Sequence, residues 1–289
     1  MSIAILVKDL RARTGAGMMD CKKALEATGS DIEQAIDWLR ENGIAKAAKK
    51  GDRIASEGLT TIYTEGNKAI ILELNSETDF VAKNEQFLGL LSTLSKGLIN
   101  SNTNSIDEAL AFNIDGETVE HIVTTGTATI GEKLTLRRVA ILTKEDAQKF
   151  VSYAHMGGRI SVLLLINGED ETTARQVAMH IAASDPKYLS EAQVDATVLD
   201  KERATLKAEA LNEGKPENIV DKMVEGRVKK YLKEICLLDQ PFVVDPDRDV
   251  RKVLTESNIE IVNFIRYEVG EGIVKEEVDF AKEVAAQLK

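Results

Sequence analysis

Few residues in this sequence have the type and spacing that catalysis requires. His121, His155 and His180 are scattered, and no HExxH, GxSxG or EF-hand pattern occurs. The segment Gly126–Gly131 resembles the start of a phosphate-binding loop, but Glu and Lys follow it where Lys and a hydroxyl residue are required. Gly15–Gly17 lacks the third glycine and the preceding strand of a dinucleotide fingerprint. We therefore expect a protein that is not an enzyme and has no metal or cofactor of its own.

The stretch Glu77–Phe87 offers chemistry of another kind. It joins a strand-like run, Lys68–Asn75, to a long helical pattern, and it places Asp79 beside Phe80 at the corner. A rigid corner of this kind can present side chains to a partner. The alternative is an ordinary helix start, with Thr78 or Asp79 as the N-cap and Phe80 turned into the core. Because such N-caps are common, the local residues alone favour the alternative.

The first 45 residues have the pattern of three short helices. A capping-box pattern, Ser30–Glu33, opens the third helix, which we expect to end near Gly43. The module predicted for residues 1–45 is a small bundle with little core of its own. A basic linker, residues 46–58, follows, and its lack of aromatic residues favours a mobile tether over an RNA-binding segment. The three apolar stripes are Ile3, Leu6, Val7 and Leu10; Met18, Cys21 and Leu25; and Ile32, Ala35, Ile36 and Leu39.

Two related α+β subdomains are predicted next. In the first, residues 59–147, two runs of period two flank Glu65–Asn67, which suits a hairpin, and a helix and the strand Leu134–Leu142 follow. The second, residues 148–190 and 237–270, repeats a turn, here Tyr153–Arg159, an apolar strand and a helix. This weak self-similarity indicates a duplication.

The remaining segments are predicted to be helical. Residues 191–236 carry two narrow apolar stripes around the turn Asn212–Pro216, which predicts an inserted antiparallel coiled-coil hairpin. Such an arm can be a simple protrusion or a subunit contact. Residues 271–289 have the apolar spacing of an amphipathic helix, with Phe280, Val284 and Leu288 on one face.

The composition narrows the class of protein further. The chain has 289 residues and a net charge of −11, which argues against an extended nucleic-acid footprint. Cys21 and Cys236 lie far apart, so buried thiols in a reducing compartment are expected. No apolar run approaches the roughly 20 residues of a membrane span, and the N-terminus lacks the features of a signal peptide. We expect a cytoplasmic protein that binds neither nucleic acid nor membrane.

Four segments of the chain match one known family and occur in its order. They are Thr14–Leu25, Thr78–Asn84, Leu238–Phe242 and Arg266–Ile273. With these segments the sequence resembles the elongation factor Ts family, the guanine-nucleotide exchange factors of elongation factor Tu. Met156 and Ser161 depart from the family, which often has glycine at these positions. The resemblance implies a ubiquitin-associated-type N-terminal domain, two core subdomains and a coiled-coil arm that some members use to dimerise.

The resemblance also implies a partner and a site. The partner is elongation factor Tu, GDP-bound or nucleotide-free, and a homodimer through the arm stays open. Thr78, Asp79, Phe80 and Val81 would disturb the Mg²⁺ site of the partner, with Phe80 wedged between helices and Asp79 acting on the magnesium network. Secondary partner contacts are assigned to His155 and Met19. The alternative functions are a ubiquitin-associated-type binding scaffold without exchange activity and an RNA-associated translation protein.

Overall fold

The computed structural model describes residues 2–103 and 105–274. Helices and strands are mixed along the chain, which confirms the predicted α+β class. The chain divides into two compact units. The first holds the described residues of Met1–Tyr63, Leu72–Ile141 and Glu268–Lys289, and the second holds Thr64–Ile71 and Leu142–Tyr267. The predicted C-terminal helix lies, from residue 275 on, outside the described residues.

The first unit opens with three helices, α1 (Ile3–Thr14), α2 (Met18–Ala27) and α3 (Ile32–Ala48). Their shared core consists of Leu6, Leu10, Cys21, Ala24, Leu25 and Ala35. Two residues of the predicted stripes, Ile3 and Met18, are exposed instead. The N-cap of α3 is Asp31, whose side chain accepts a hydrogen bond from the Gln34 amide, and not Ser30 as predicted. Ser30 follows Gly29 in the turn with a φ of 69° and is not extended as an N-cap requires.

Helix α3 continues past Gly43, where we predicted its end, and reaches Ala48. The linker that follows is not free of the fold. Lys133 donates hydrogen bonds from its ammonium group to the carbonyls of Gly51 at 2.6 Å and Arg53 at 2.9 Å. Lys50 donates to the carbonyl of Gly131. The basic side chains thus hold the segment in place, which differs from the mobile tether we expected.

The sheet of the first unit contains β2, the strand that leads into the corner. The strands β1 (Glu57–Glu65) and β2 (Lys68–Ser76) form the predicted hairpin, and β2 is buried from Ala69 onward. Helix α4 (Glu85–Leu98) buries Phe87, Leu91, Leu94 and Leu98. The elements after it are α5 (Ile106–Ala111), β3 (Asn113–Ile114), β4 (Glu117–Thr118), α6 (Val119–Ile130) and β5 (Thr135–Thr143), and the strand order is β1-β2-β5.

Helix α6 contains the segment that resembled a phosphate loop. Gly126 lies inside the helix, where a side chain would collide with Leu90 of α4 and press on Leu134. On another side of α6, a Cβ atom at Gly43 of α3 would lie 3.1 Å from Ala128. The glycines therefore permit close helix packing, and α6 lies between α4 and the N-terminal bundle.

A buried carboxylate fixes the return of the chain to the first unit. Glu73 of β2 is 0% exposed and pairs with Arg137 at 3.1 Å and Arg138 at 2.6 Å. It also accepts a hydrogen bond from the Gly270 amide at 2.8 Å. Gly270 has a φ of 74°, and any side chain there would collide with the carbonyl of Ser56. One acidic side chain thus joins the sheet of the first unit to the segment that follows the last described strand.

The second unit has its own three-stranded sheet, in the order β10-β7-β6. The predicted turn over Tyr153–Arg159 is shorter, because Tyr153 to His155 belong to β6 and only the residues after them turn. The elements are β6 (Gln148–His155), β7 (Ile160–Asn167), α7 (Glu171–Ser184), α8 (Ala196–Asn212), α9 (Glu217–Ile235), β8 (Pro241–Phe242), β9 (Asp245–Asp249), α10 (Val250–Glu256) and β10 (Glu260–Glu268).

Helices α8 and α9 form an antiparallel hairpin. Lys207 of α8 pairs with Asp221 of α9 at 2.8 Å, and Arg203 pairs with Glu225 at 3.3 Å. The second pair lies farther from the turn on both helices, as an antiparallel arrangement requires. A separate apolar cluster, which includes Val220, Val224 and Val228, packs between them. Coiled-coil packing and self-association through this arm stay predictions.

His180 is a buried residue of the second core. Its Nδ1 accepts a hydrogen bond from the Val243 amide at 3.2 Å, and its Nε2 lies 2.8 Å from Oε1 of Gln240. Since Nδ1 is an acceptor, the ring proton is on Nε2 and is donated to Gln240. Burial lowers the pKa of His180, although the hydrogen bond to Gln240 opposes the shift. The ring is therefore neutral in the folded protein.

Candidate functional site

The candidate site is the corner between β2 and α4, residues Glu77–Asn84. A single 3-10 turn, Val81–Lys83, follows Phe80, and α4 begins only at Glu85. The N-cap of α4 is Asn84, whose side chain accepts a hydrogen bond from the Gln86 amide at 2.7 Å. The interpretation of Thr78 or Asp79 as the helix N-cap is therefore wrong, because the N-cap, Asn84, lies well after both residues in the chain.

Phe80 points to solvent. Its exposed fraction is 80%, whereas Phe87, at the start of α4, is 0% exposed. The alternative in which Phe80 packs in the core is therefore wrong. Asp79 is also exposed, and its carboxylate lies 3.4 Å from the ammonium group of Lys83. Val81 is partly buried, so the exposed part of the predicted set is Asp79 and Phe80.

The base of the corner is fixed by hydrogen bonds from the segment after α6. The Glu132 carboxylate accepts one hydrogen bond from the Thr78 amide at 2.9 Å and another from the Thr78 hydroxyl at 2.7 Å. The Lys133 amide donates to the Glu77 carboxylate at 2.6 Å, and Arg53 pairs with the same carboxylate at 3.2 Å. Charged hydrogen bonds of this kind are stronger than neutral ones, so the backbone that enters the corner is held firmly.

The polar groups of Thr78 are hydrogen-bonded within the protein. Its hydroxyl and amide are both used by Glu132, and its carbonyl accepts a hydrogen bond from the hydroxyl of Ser76 at 2.9 Å. The sequence predicted Thr78 as a site residue but gave no sign of Glu132. The only signal was the Glu-Lys pair after Gly131, which we noted as a mismatch to a phosphate loop.

Met19 lies in the same unit as the corner. The Gln86 side chain at the start of α4 donates a hydrogen bond to the Gly15 carbonyl at 3.2 Å, and this bond ties the turn before α2 to the corner. Met18 and Met19 begin α2 and are 60% and 62% exposed. The first unit thus exposes large apolar side chains on two neighbouring segments, at Phe80 and at the start of α2.

His155 belongs to the second unit, whereas the corner belongs to the first. It lies at the end of β6, exposed, with its Nδ1 atom 3.1 Å from the Tyr153 hydroxyl and its ring stacked on Tyr153 at 6.0 Å between centroids. Met156 follows it and is 69% exposed. This turn offers an aromatic and apolar surface of its own.

The chemistry of the corner is that of a contact surface. An exposed aromatic ring can insert into a partner, and an exposed carboxylate can polarise groups of that partner. The described residues around them include no nucleophile with a base beside it. Across residues 2–103 and 105–274, no group of three or more His, Cys, Asp or Glu side chains is arranged to hold a metal ion. Over the same part of the chain, none of the helices has the length and apolarity that crossing a membrane demands.

Comparison with protein families gives one match. The family described as Elongation factor TS matches residues 77–271, which is more than half of the chain. The match begins at Glu77, the first residue of the corner, and it includes both Thr78–Val81 and His155. Met19 lies before the matched region.

Proposed function

The chain belongs to the elongation factor Ts family, the guanine-nucleotide exchange factors of elongation factor Tu, and we propose that it promotes GDP release through the Asp79–Phe80 corner. In this proposal the protein binds GDP-bound elongation factor Tu, disturbs the Mg²⁺ and nucleotide site, and leaves the partner open for GTP. It makes and breaks no covalent bond, and it acts in the cytoplasm.

The observation that supports the proposal is the exposure of Phe80 on a fixed backbone. The ring is 80% exposed, yet the chain that carries it is held two residues earlier by Glu132. An exposed aromatic ring contributes little to the stability of its own fold, but burying it in a partner is favourable. A rigid support also lowers the entropy lost on binding, since the ring does not have to be ordered at that moment.

The mechanism is mechanical and electrostatic. Phe80 would enter between helices beside the partner's Mg²⁺ site, and Asp79 would disturb the groups that hold the ion. When a divalent cation leaves, the phosphates of GDP lose their counter-charge, and the nucleotide is bound less tightly. By thermodynamic linkage, bound GDP lowers the partner's affinity for the factor by the same ratio by which the bound factor lowers its affinity for GDP. The complex with nucleotide bound is therefore transient.

The other predicted residues have supporting roles in this proposal. Val81 continues the corner, and Thr78 connects it to the fold. Met19 contributes apolar contact from α2, and His155 contributes a secondary contact from the second unit. The fold domains that we predicted, including residues 1–45 as a docking domain and 191–236 as an arm that can dimerise, are part of the same proposal.

The proposal is tested by release of a fluorescent GDP analogue from elongation factor Tu, chased with excess unlabelled GDP. The full-length protein should accelerate release catalytically, at concentrations well below that of the partner. Asp79→Asn and Phe80→Ala should each lower this acceleration. If a cognate partner binds the protein but its GDP release is not accelerated, the function is that of a binding scaffold and the exchange proposal is wrong.

A further inference from the structure

We infer that Glu132 is a positioning residue for nucleotide exchange, which acts through Phe80 without touching the partner. The inference rests on the proposed function of the corner. It concerns the Glu-Lys pair after Gly131, the same pair that disqualified this segment as a phosphate loop. In the folded protein Glu132 holds Thr78, two residues before the exposed ring.

The direction of the Phe80 ring has to be set by its backbone. With 80% of the side chain in solvent, little packing of the ring itself can fix it. The carbonyl of Phe80 accepts a hydrogen bond from the Lys83 amide at 3.2 Å, which fixes the chain after the ring. The two hydrogen bonds from Thr78 to Glu132 fix the chain before it. The ring is thus carried on a short segment held at both ends.

A carboxylate is the side chain that suits this task. The amide and the hydroxyl of Thr78 both donate, and they are accepted by different oxygen atoms of Glu132. A glutamine has the same size but no charge and only one acceptor oxygen, so its amide nitrogen would replace one of the two acceptor atoms and both hydrogen bonds would lose their charge assistance. Gly131, with a φ of 93°, ends α6 directly before Glu132, so the carboxylate is carried by the end of a packed helix.

The first test is a double-mutant cycle read by stimulated GDP release. Glu132→Gln should lower the second-order rate constant of exchange about tenfold, which corresponds to about 1.4 kcal/mol, and Thr78→Val should lower it in the same direction. In a Phe80→Ala background, Glu132→Gln should have an effect of less than about twofold, because contacts that act as one unit are not additive. Glu120→Gln, at an exposed position on α6, is the matched control and should leave the rate unchanged. Equal losses in both backgrounds would overturn the inference.

The second test needs no partner protein. Both native cysteines, Cys21 and Cys236, are buried, and burial raises the pKa of each thiol, so a Phe80→Cys variant has one accessible site for a nitroxide spin label. The Glu132→Gln change should narrow the spectrum of this label, while Glu120→Gln should not.

An unchanged spectrum would show that Glu132 does not order residue 80, and the inference would be wrong. If the unaltered protein fails to accelerate GDP release, the proposed function is wrong instead, and the label alone then decides whether Glu132 positions the corner. Thermal unfolding of each variant completes the comparison. A loss of exchange that only follows the folded fraction would assign Glu132 to stability and not to positioning.

Discussion

Two alanine substitutions separate a docking role from a packing role at the corner. Phe80 and Phe87 are the same residue type on neighbouring turns of one segment, but their exposed fractions are 80% and 0%. Phe80→Ala and Phe87→Ala therefore delete the same atoms in opposite environments. Each variant serves as the control for the other.

The expected magnitudes follow from the burial. Fully burying a phenylalanine contributes about 1.5–3 kcal/mol, and most of the Phe80 ring is still available for a partner. Allowing for the methyl group that alanine keeps, Phe80→Ala should remove about 1–2 kcal/mol of partner-dependent stabilisation, or about 5- to 30-fold in the exchange rate constant. Its free energy of unfolding should change by less than about 0.5 kcal/mol. Phe87→Ala should lower the free energy of unfolding by about 3–5 kcal/mol, because it leaves a cavity under α4.

Both quantities are measured on the same preparations. Urea or thermal unfolding gives the stability of each free variant, and stimulated release of a fluorescent GDP analogue, scaled to folded protein, gives its exchange activity. Phe80→Ala should lose activity at unchanged stability, and Phe87→Ala should lose stability at nearly unchanged activity per folded molecule. If Phe80→Ala unfolds as readily as Phe87→Ala while its activity per folded molecule stays normal, the ring is a structural residue and the reasoning fails.

Three further outcomes are expected. Glu73→Gln removes the buried carboxylate that two arginines share, although one of them, Arg138, keeps its pair with Glu271 at 3.0 Å. It should lower the free energy of unfolding by about 3 kcal/mol in urea titrations, and a neutral result would show that the pairs with Glu73 contribute nothing net. Burial lowers the pKa of His180, so the stabilisation by this residue is present above the unfolded pKa of about 6.5 and is lost as the pH falls through the folded pKa. The unfolding midpoint should therefore drop on acidification, and it should drop less in His180→Gln. Met19→Ala should raise the concentration for half-maximal exchange and leave the maximal rate unchanged; a lowered maximal rate would contradict a role in binding alone.

The sequence was most informative where one periodicity continues without a break. The strand β2 and the buried face of α4 follow directly from their alternating and helical apolar patterns. Helix α6 was missed, because Thr, Val, Ile and Gly dominate it and such residues have low helix propensity. It is stabilised by packing against α4 and α3, and tertiary packing of this kind is not visible in a local pattern.

The sequence did not show how the residues of the candidate site are held, and this has a physical cause. The local residues favoured an ordinary helix start with Phe80 in the core, because such N-caps are common. The sequence around an N-cap does not show which way the following side chain points. The contact that holds Thr78 comes from Glu132, which lies 54 residues away in the chain and meets it only in the folded protein. The resemblance to a family pointed to the corner as the site, and that assignment stays a prediction. It could not distinguish Thr78, which faces the fold, from Phe80, which faces solvent.

The energetics of the corner also limit what it can do alone. A wedge that contributes about 1–2 kcal/mol can lower the partner's affinity for GDP by about 5- to 30-fold at most, because the coupling between factor and nucleotide is reciprocal. A contact made equally with the GDP-bound and the nucleotide-free partner improves binding and does not change the affinity for GDP. In the proposed mechanism, contacts at Met19 and His155 would hold the partner, and the Phe80 ring would favour its nucleotide-free state. In such a factor each substitution should lower the exchange activity in part, and no single substitution should abolish it.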